Sequence, residues 1–255
     1  MNLQMALYLI PVDISAASWR SVMPPENLEI IKGIRYFIVE NIRTARRTIK
    51  RLDLSADISA ITFYELNRHT DDKEISTFLQ PLREGNVMGV MSEAGCPGVA
   101  DPGASVVRIA QSEGLRVIPL VGPSSILLSL MGSGLNGQNF SFNGYLPVEN
   151  TDRERKIREL EALSVKNDVT QIFIETPYRN EKMFESLLKT LRNETLMCVA
   201  SSVTDPEKEM IQTRSVGEWK KLNFKIAKEP TVFLFYSPNQ NKRSNQSYGK
   251  KKNFI

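Results

Sequence analysis

Short apolar runs alternate with amphipathic stretches along most of this chain. Leu7-Tyr8-Leu9-Ile10, Tyr36-Phe37-Ile38-Val39, residues 61–64 and Val87-Met88-Gly89-Val90-Met91 read as buried strands. Between them the apolar spacing becomes helical. Ile42, Ala45, Ile49 and Leu52 fall on one face of a predicted helix over 42–52, and further helices are predicted over 72–83 and 104–113. Gly114 reads as a helix C-cap ahead of a strand over 116–120, and a helix over 126–131 follows. Strand-helix alternation to about residue 120 predicts a mostly parallel sheet. The texture changes near 140–147, and 142–147 reads as a link into a second unit. Thr151-Asp152-Arg153-Glu154 fits a capping box that opens a new helix. Strands over 171–174, 196–201, 210–213 and 231–236, with helices over 180–191 and 216–220, complete a second α/β unit with hairpin-like strands. The expected fold class is α/β: a domain over 1–122 with a mostly parallel sheet, a domain over 123–237 with a mixed sheet, and a segment over 238–255.

The most informative stretch is Ser92-Glu93-Ala94-Gly95-Cys96-Pro97-Gly98-Val99-Ala100-Asp101-Pro102-Gly103. It joins a buried strand to a helix, the place where open α/β sheets bind ligands. Its glycines let the main chain come close to a bound molecule, Asp101 suits a helix cap and Pro102 a first turn. The loop exceeds the two to about six residues of a simple connection. It has neither G-x-x-x-x-G-K-[ST] nor G-x-G-x-x-G spacing, so a nucleoside triphosphate or NAD is not the expected ligand. Gly122-Pro123-Ser124-Ser125 opens the next helix and offers N–H groups and hydroxyls, although an ordinary N-cap would read the same.

Charge adds a second feature. Arg43, Arg46, Arg47, Lys50 and Arg51 share the polar side of the 42–52 helix without an acid among them. A charged stripe usually means a solvated face, but solvated faces mix signs and like charges four residues apart repel by tenths of a kcal/mol, so a polyanionic partner is a reasonable explanation. The chain carries a net charge of +4, and residues 238–255 hold Lys242, Arg243, Lys250, Lys251 and Lys252 with no acid, so the remainder is close to −1. This polar, basic segment is expected to be disordered when alone, as a solubilising tail or a nucleic-acid arm.

The 255 residues, 41% of them hydrophobic, suffice for a sizeable core without disulfides or metals. The two cysteines, Cys96 and Cys198, form no metal or disulfide spacing, which suits a reducing cytoplasm. A single histidine, His69, in a polar stretch reads as a surface residue and makes a Ser-His-Asp triad or a histidine metal site improbable. No run reaches the ~18–20 apolar residues of a membrane span, and residues 1–19 lack the basic start of a secretory signal. No metal and no membrane are therefore expected.

Taken together, Tyr8-Leu9-Ile10-Pro11, Glu40-Asn41-x-Arg43, the Ser92 to Gly103 block, Val121-Gly122-Pro123-Ser124-Ser125, Gly144-Tyr145-Leu146-Pro147 and Glu175-Thr176-Pro177-Tyr178-Arg179 resemble the tetrapyrrole-methylase superfamily. Within it the pattern is most similar to the small-subunit ribosomal RNA (cytidine-2′-O)-methyltransferases, from the first strand to about Tyr236. The resemblance implies two α/β domains, S-adenosylmethionine (SAM) in the cleft between them, and a homodimer. It implies cofactor contacts from Ala94, Gly95, Cys96, Pro97, Val99, Ser124 and Ser125, with Glu175 and Ala200 as candidates from the second domain. It puts Pro11 on the acceptor side.

The sequence departs from the family at several points. The family's T-P-I-G-N-L gives way to Pro11-Val12-Asp13-Ile14-Ser15, E-D-T-R becomes Glu40-Asn41-Ile42-Arg43, the loop Asp is Glu93 and the usual Thr is Cys96. Methyl transfer from a sulfonium needs alignment above all, and a ribose hydroxyl benefits from a proton acceptor. Glu40 and Glu93 are the catalytic candidates, each with a structural role as its alternative. Arg43, Arg46, Arg47 and Lys50 are the candidates for phosphate contacts. The leading expectation is a SAM-dependent methyltransferase of ribosomal RNA. A methylase of a tetrapyrrole-like small molecule and a non-catalytic RNA- or ribosome-binding paralogue stand as alternatives.

Overall fold

The computed structural model describes residues 3–53, 55–66 and 70–238. His69 and the basic segment from residue 239 onward lie outside the described residues. The chain forms two compact units, Met1–Ser124 and Ser125–Ile255.

The first unit is built on five strands: β1 (Leu7–Ile10), β2 (Tyr36–Val39), β3 (Thr62–Glu65), β4 (Met88–Met91) and β5 (Val117–Pro119). Their order is β3-β2-β4-β1-β5 and every pairing is parallel. Helices α1 (Trp19–Val22), α2 (Pro25–Gly33), α3 (Ile42–Leu52), α4 (Asp72–Phe78), α5 (Gln80–Arg83) and α6 (Gly103–Ser112) connect them. The two-residue period of the strands sorts side chains to opposite faces. Tyr8, Ile10, Phe37 and Val39 pack with Ile31, Ala45 and Ile49 of α2 and α3. Leu7, Ile38, Met88 and Val90 pack with Ile75, Leu82, Val106 and Ala110 of α4, α5 and α6. Each large side chain so buried contributes about 1.5–3 kcal/mol.

The connections after β1 and β4 thus lie on opposite faces, although these two strands are neighbours in the sheet. That makes their carboxyl ends a topological switch point, where a crevice opens beyond the strands.

The sequence reading of this unit holds with small shifts. The predicted 72–83 helix divides into α4 and α5 at Leu79, one residue before Gln80-Pro81, because proline has no N–H to continue the ladder. Asp101 assists the start of α6 but is not its N-cap residue, which is Pro102.

The second unit holds β6 (Phe140–Tyr145), β7 (Thr170–Glu175), β8 (Leu196–Ser201), β9 (Met210–Ser215) and β10 (Thr231–Tyr236), in the order β6-β7-β10-β8-β9. Only β6–β7 is parallel, so the sheet is mixed. Helices α7 (Ser125–Ser133), α8 (Asn150–Asn167), α9 (Asn180–Thr190) and α10 (Val216–Trp219) accompany it. Its core gathers Phe173, Phe184, Phe233, Phe235 and Trp219, whose indole N–H donates to Met197 O at 2.9 Å.

Two expectations are corrected here. Residues 140–145 are not a link but the edge strand β6. The Asn143-Gly144 pair within it forms a bulge: the register with β7 slips between Phe142 and Tyr145, and Gly144 sits at φ 63°. The predicted capping box is also absent. Helix α8 starts at Asn150 after Glu149, without a side-chain cap, so Thr151 lies inside the first turn. Buried Arg153 closes that corner instead, donating to Val148 O at 2.6 Å and Ser186 Oγ at 3.0 Å.

Candidate cofactor and substrate site

Three segments of the first unit converge beyond the ends of β1 and β4. Val12 N donates to Gly95 O at 2.9 Å and Gly95 N donates to Val12 O at 3.2 Å, a two-bond bridge between the β1 exit and the glycine-rich loop. Gly95 has φ 72°, a left-handed conformation costly for any residue with a Cβ. The third segment is 122–123. A Cβ on Gly122 would lie 2.2 Å from Pro11 Cγ, so the buried Pro11 ring packs on bare main chain. Cys96 Sγ donates to Pro123 O at 3.4 Å. Pro11, Gly95, Cys96 and the 122–123 turn therefore form one assembly. Ser124 ends this unit and Ser125 opens α7 in the other, both half-buried.

The far end of the loop is held by Asp101. Its Oδ1 accepts from Gly98 N at 2.8 Å and from Gly103 N at 2.7 Å. Burial pushes the Asp101 carboxyl above its ordinary value, against the opposing pull of those two N–H groups. Burial first, and the Asp101 charge second, push the Cys96 thiol up. It is therefore a poor thiolate nucleophile. Gly95 and Pro97 are buried and Cys96 and Gly98 half-buried, whereas Glu93, Ala94, Val99 and Ala100 are exposed, so the loop tucks its middle in and shows its two shoulders to solvent.

Glu40 and Glu93 are neighbours. Glu93 N donates to Glu40 Oε1 at 3.2 Å, and Thr44 Oγ1 lies 3.5 Å from Glu93 Oε1. Glu40 is half-buried and Glu93 exposed. Together with Thr48, Met91 and Ser92 they line a small crevice between the ends of β2 and β4. Asn41, a departure from the family pattern, caps α3 by accepting from Thr44 N at 3.0 Å.

The cations of α3 are all exposed, yet they are not equivalent. The Arg46 guanidinium lies 5.4 Å from the centre of the Phe63 ring. Arg51 is ion-paired to Asp13. Arg43 and Arg47 make no ion pair among the described residues.

The second-unit candidates are placed differently. Glu175, at the end of β7, has a side chain 2% exposed. It accepts from Arg179 Nε at 2.8 Å and Thr176 N at 2.6 Å. Ala200 is wholly buried in β8, opposite Val232 of β10 and Ile211 of β9. Tyr178 is 88% exposed. Sequence reasoning did not name Val12 or Asp13 as candidate site residues, although both stand in the stretch that departs from the family pattern; their partners, Gly95 and Arg51, are brought to them only by the sheet.

Among the described residues there is no cluster of His, Cys, Asp or Glu able to hold a metal, and no helix long and apolar enough to cross a membrane. The structure aligns with the methyltransferase CobJ at a TM-score of 0.57 and 15% identity, over 91% of this chain and 99% of that one. It aligns with the cobalt precorrin-4 methyltransferase CbiF at 0.55 and 15%, over 91% and 95%. The chain has the tetrapyrrole-methylase fold. No family model matches the sequence. Curated relatives named ribosomal RNA small subunit methyltransferase I are similar at 27% identity. The Escherichia coli O157:H7 protein matches over 85% of this chain and 71% of its own length, and that of Vibrio cholerae over 78% and 65%. The Bacillus subtilis protein matches over 81% and 66%. The matched stretch thus spans roughly two thirds of these relatives. The resemblance read from the motifs is borne out, as is the class of two α/β units with a parallel and a mixed sheet.

Proposed function

We propose that this chain is a SAM-dependent methyltransferase acting on a ribose 2′-hydroxyl of small-subunit ribosomal RNA. The observation that carries the reading is the assembly at the switch point, in which the β1 exit, the glycine-rich loop and the 122–123 turn are stitched into one main-chain cradle. Gly95, at φ 72°, and Gly98, at φ 83°, give the loop the left-handed turns that seat its main chain against Val12 and Asp101. This fits a cofactor whose adenosine and methionine portions are gripped by main chain rather than by a phosphate loop. SAM, when bound, supplies an electrophilic methyl carbon on its sulfonium. Ala94, Gly95, Cys96, Pro97 and Val99 would hold it, with Ser124 at the end of this unit. Ser125, Glu175 and Ala200 are second-unit candidates. For Glu175 and Ala200 the roles are indirect, since the Glu175 carboxylate is engaged by Arg179 and the Ala200 side chain is buried.

The residues divide the remaining work. Exposed Glu93 would accept the hydroxyl proton. Glu40, which receives the Glu93 N–H, would fix the main chain that carries it. Alignment of donor and acceptor supplies about 7–11 kcal/mol of the barrier. Arg43 and Arg47, with Arg46 and Lys50 beside them, would take RNA phosphates, and Pro11 would set the acceptor side of the cradle. The resemblance also supports a homodimer, and Leu127 and Met131 of α7, 50% and 78% exposed, are apolar surface for a second copy to cover. Two unpaired cysteines suit a reducing cytoplasm.

The test is incubation with labelled SAM and undermethylated small ribosomal subunits, followed by mapping of the labelled nucleotide. Label on a ribose oxygen supports the proposal. SAM binding by calorimetry without transfer to RNA would direct the search to a small acceptor, and absence of SAM binding would leave an RNA-binding paralogue.

A further inference from the structure

The row Arg43, Arg47, Arg51 recurs at four-residue spacing along α3, so the three side chains lie one above another. Only the last is committed. The Asp13 side chain is 9% exposed and that of Arg51 48%, and Arg51 is the partner of Asp13 among the described residues. A carboxylate so far from water requires a countercharge. Asp13 stands between two residues that bear on the cofactor loop. Val12 exchanges both main-chain bonds with Gly95, and Ile14 Cγ2 lies 3.4 Å from the position a Gly95 Cβ would take. The segment is also where the sequence leaves the family pattern.

We infer that Arg51 is a positioning residue for the cofactor loop and not a phosphate contact: through Asp13 it braces 12–14 against Gly95, while Arg43 and Arg47 remain for the RNA. This rests on the proposed methyltransferase reading only for the identity of the ligands. The brace is a property of the chain itself.

The test compares R51M, R51K, D13N and R47Q in the full-length protein. Amide hydrogen exchange at Val12 and Gly95 is measured without ligand, SAM affinity by calorimetry, and affinity for a small-subunit RNA fragment across a salt series. In R51M, exchange at the two amides rises about ten-fold and SAM binds about ten-fold more weakly, with turnover falling by up to the ~10²-fold that a 1 Å misplacement brings. The salt slope for RNA is unchanged. R51K restores most of both. R47Q behaves oppositely, lowering the salt slope by about 0.7–0.9 and leaving exchange at Val12 and Gly95 unaltered. Should R51M fail to fold, D13N is read in its place with the same expected rise in exchange. Unchanged exchange in R51M and D13N, or a salt slope in R51M that drops as in R47Q, overturns the inference. A wild-type protein that binds no SAM would instead defeat the functional reading, with the exchange data still deciding the brace.

Discussion

Replacing Gly122 with alanine tests whether the β1 exit and the 122–123 turn are one rigid cradle. The new Cβ would stand 2.2 Å from Pro11 Cγ and 2.4 Å from Pro11 Cβ, against an ordinary contact of 3.4 Å or more. Something must move by about 1.2 Å. A proline ring has little freedom to do so, and Pro11 is buried and followed by Val12, which is bonded twice to Gly95. Overpacking of this kind costs about 1–3 kcal/mol. Gly122 does not occupy the left-handed region, so steric contact alone supplies the cost. The shift is also aimed at the loop that would hold SAM, and a displacement near 1 Å predicts a loss of roughly 10²-fold in turnover. Gly114→Ala is the matched control. Gly114 has φ 69° with nothing within 4 Å of an added Cβ, so alanine there costs about 1–2 kcal/mol of backbone strain and should leave SAM affinity unchanged. Urea titration followed by the fluorescence of Trp19 and Trp219, one in each unit, gives the stabilities, and calorimetry gives the SAM affinity. A G122A protein within 0.5 kcal/mol of wild type, with SAM binding intact, would refute the rigid cradle.

Three further outcomes are expected. Arg179→Ala strands the Glu175 carboxylate and should destabilise the second unit by about 3–5 kcal/mol, whereas a loss under 1 kcal/mol in urea titration would show that Thr176 N suffices. The folded-state pKa of Asp101 is raised above 3.8, so its contribution to stability is complete below that pH and is lost as pH rises through the folded value. Asp101→Asn removes this titration, so the stability of D101N relative to wild type should climb from pH 3 toward neutrality; a flat or falling difference contradicts the sign. Finally, burial pushes the Cys198 thiol up to about 11, and Cys198 is wholly buried. Iodoacetamide on native protein near pH 8 should modify Cys96 slowly and Cys198 not at all, as read by peptide mass, and D101N should speed Cys96 by removing the charge beside it.

Much of this protein is written locally. The apolar runs of β1 and β2, the Asn41-capped α3 and the glycine-rich loop follow from the two-residue and 3.6-residue periods and from turn chemistry, which act within a few residues. The motif block from Ser92 to Gly103 marks the candidate site for the same reason. The misreadings have a common cause. Residues 142–147 read as a link by themselves, and 140–145 became an edge strand only because β7 lay alongside. Thr151 and Glu154 satisfy a capping pattern, yet Arg153, held by Val148 O and Ser186 Oγ, set the start of α8. The same holds within the site. The sequence determined that residues 42–51 carry five cations on one helix. That Arg51 is spent on Asp13 while Arg43 and Arg47 stay open was decided by where the sheet places the β1 exit. Local spacing fixes which side chains share a face, but which of them meet across 38 residues of chain depends on strand order, and that is settled only when the whole core packs.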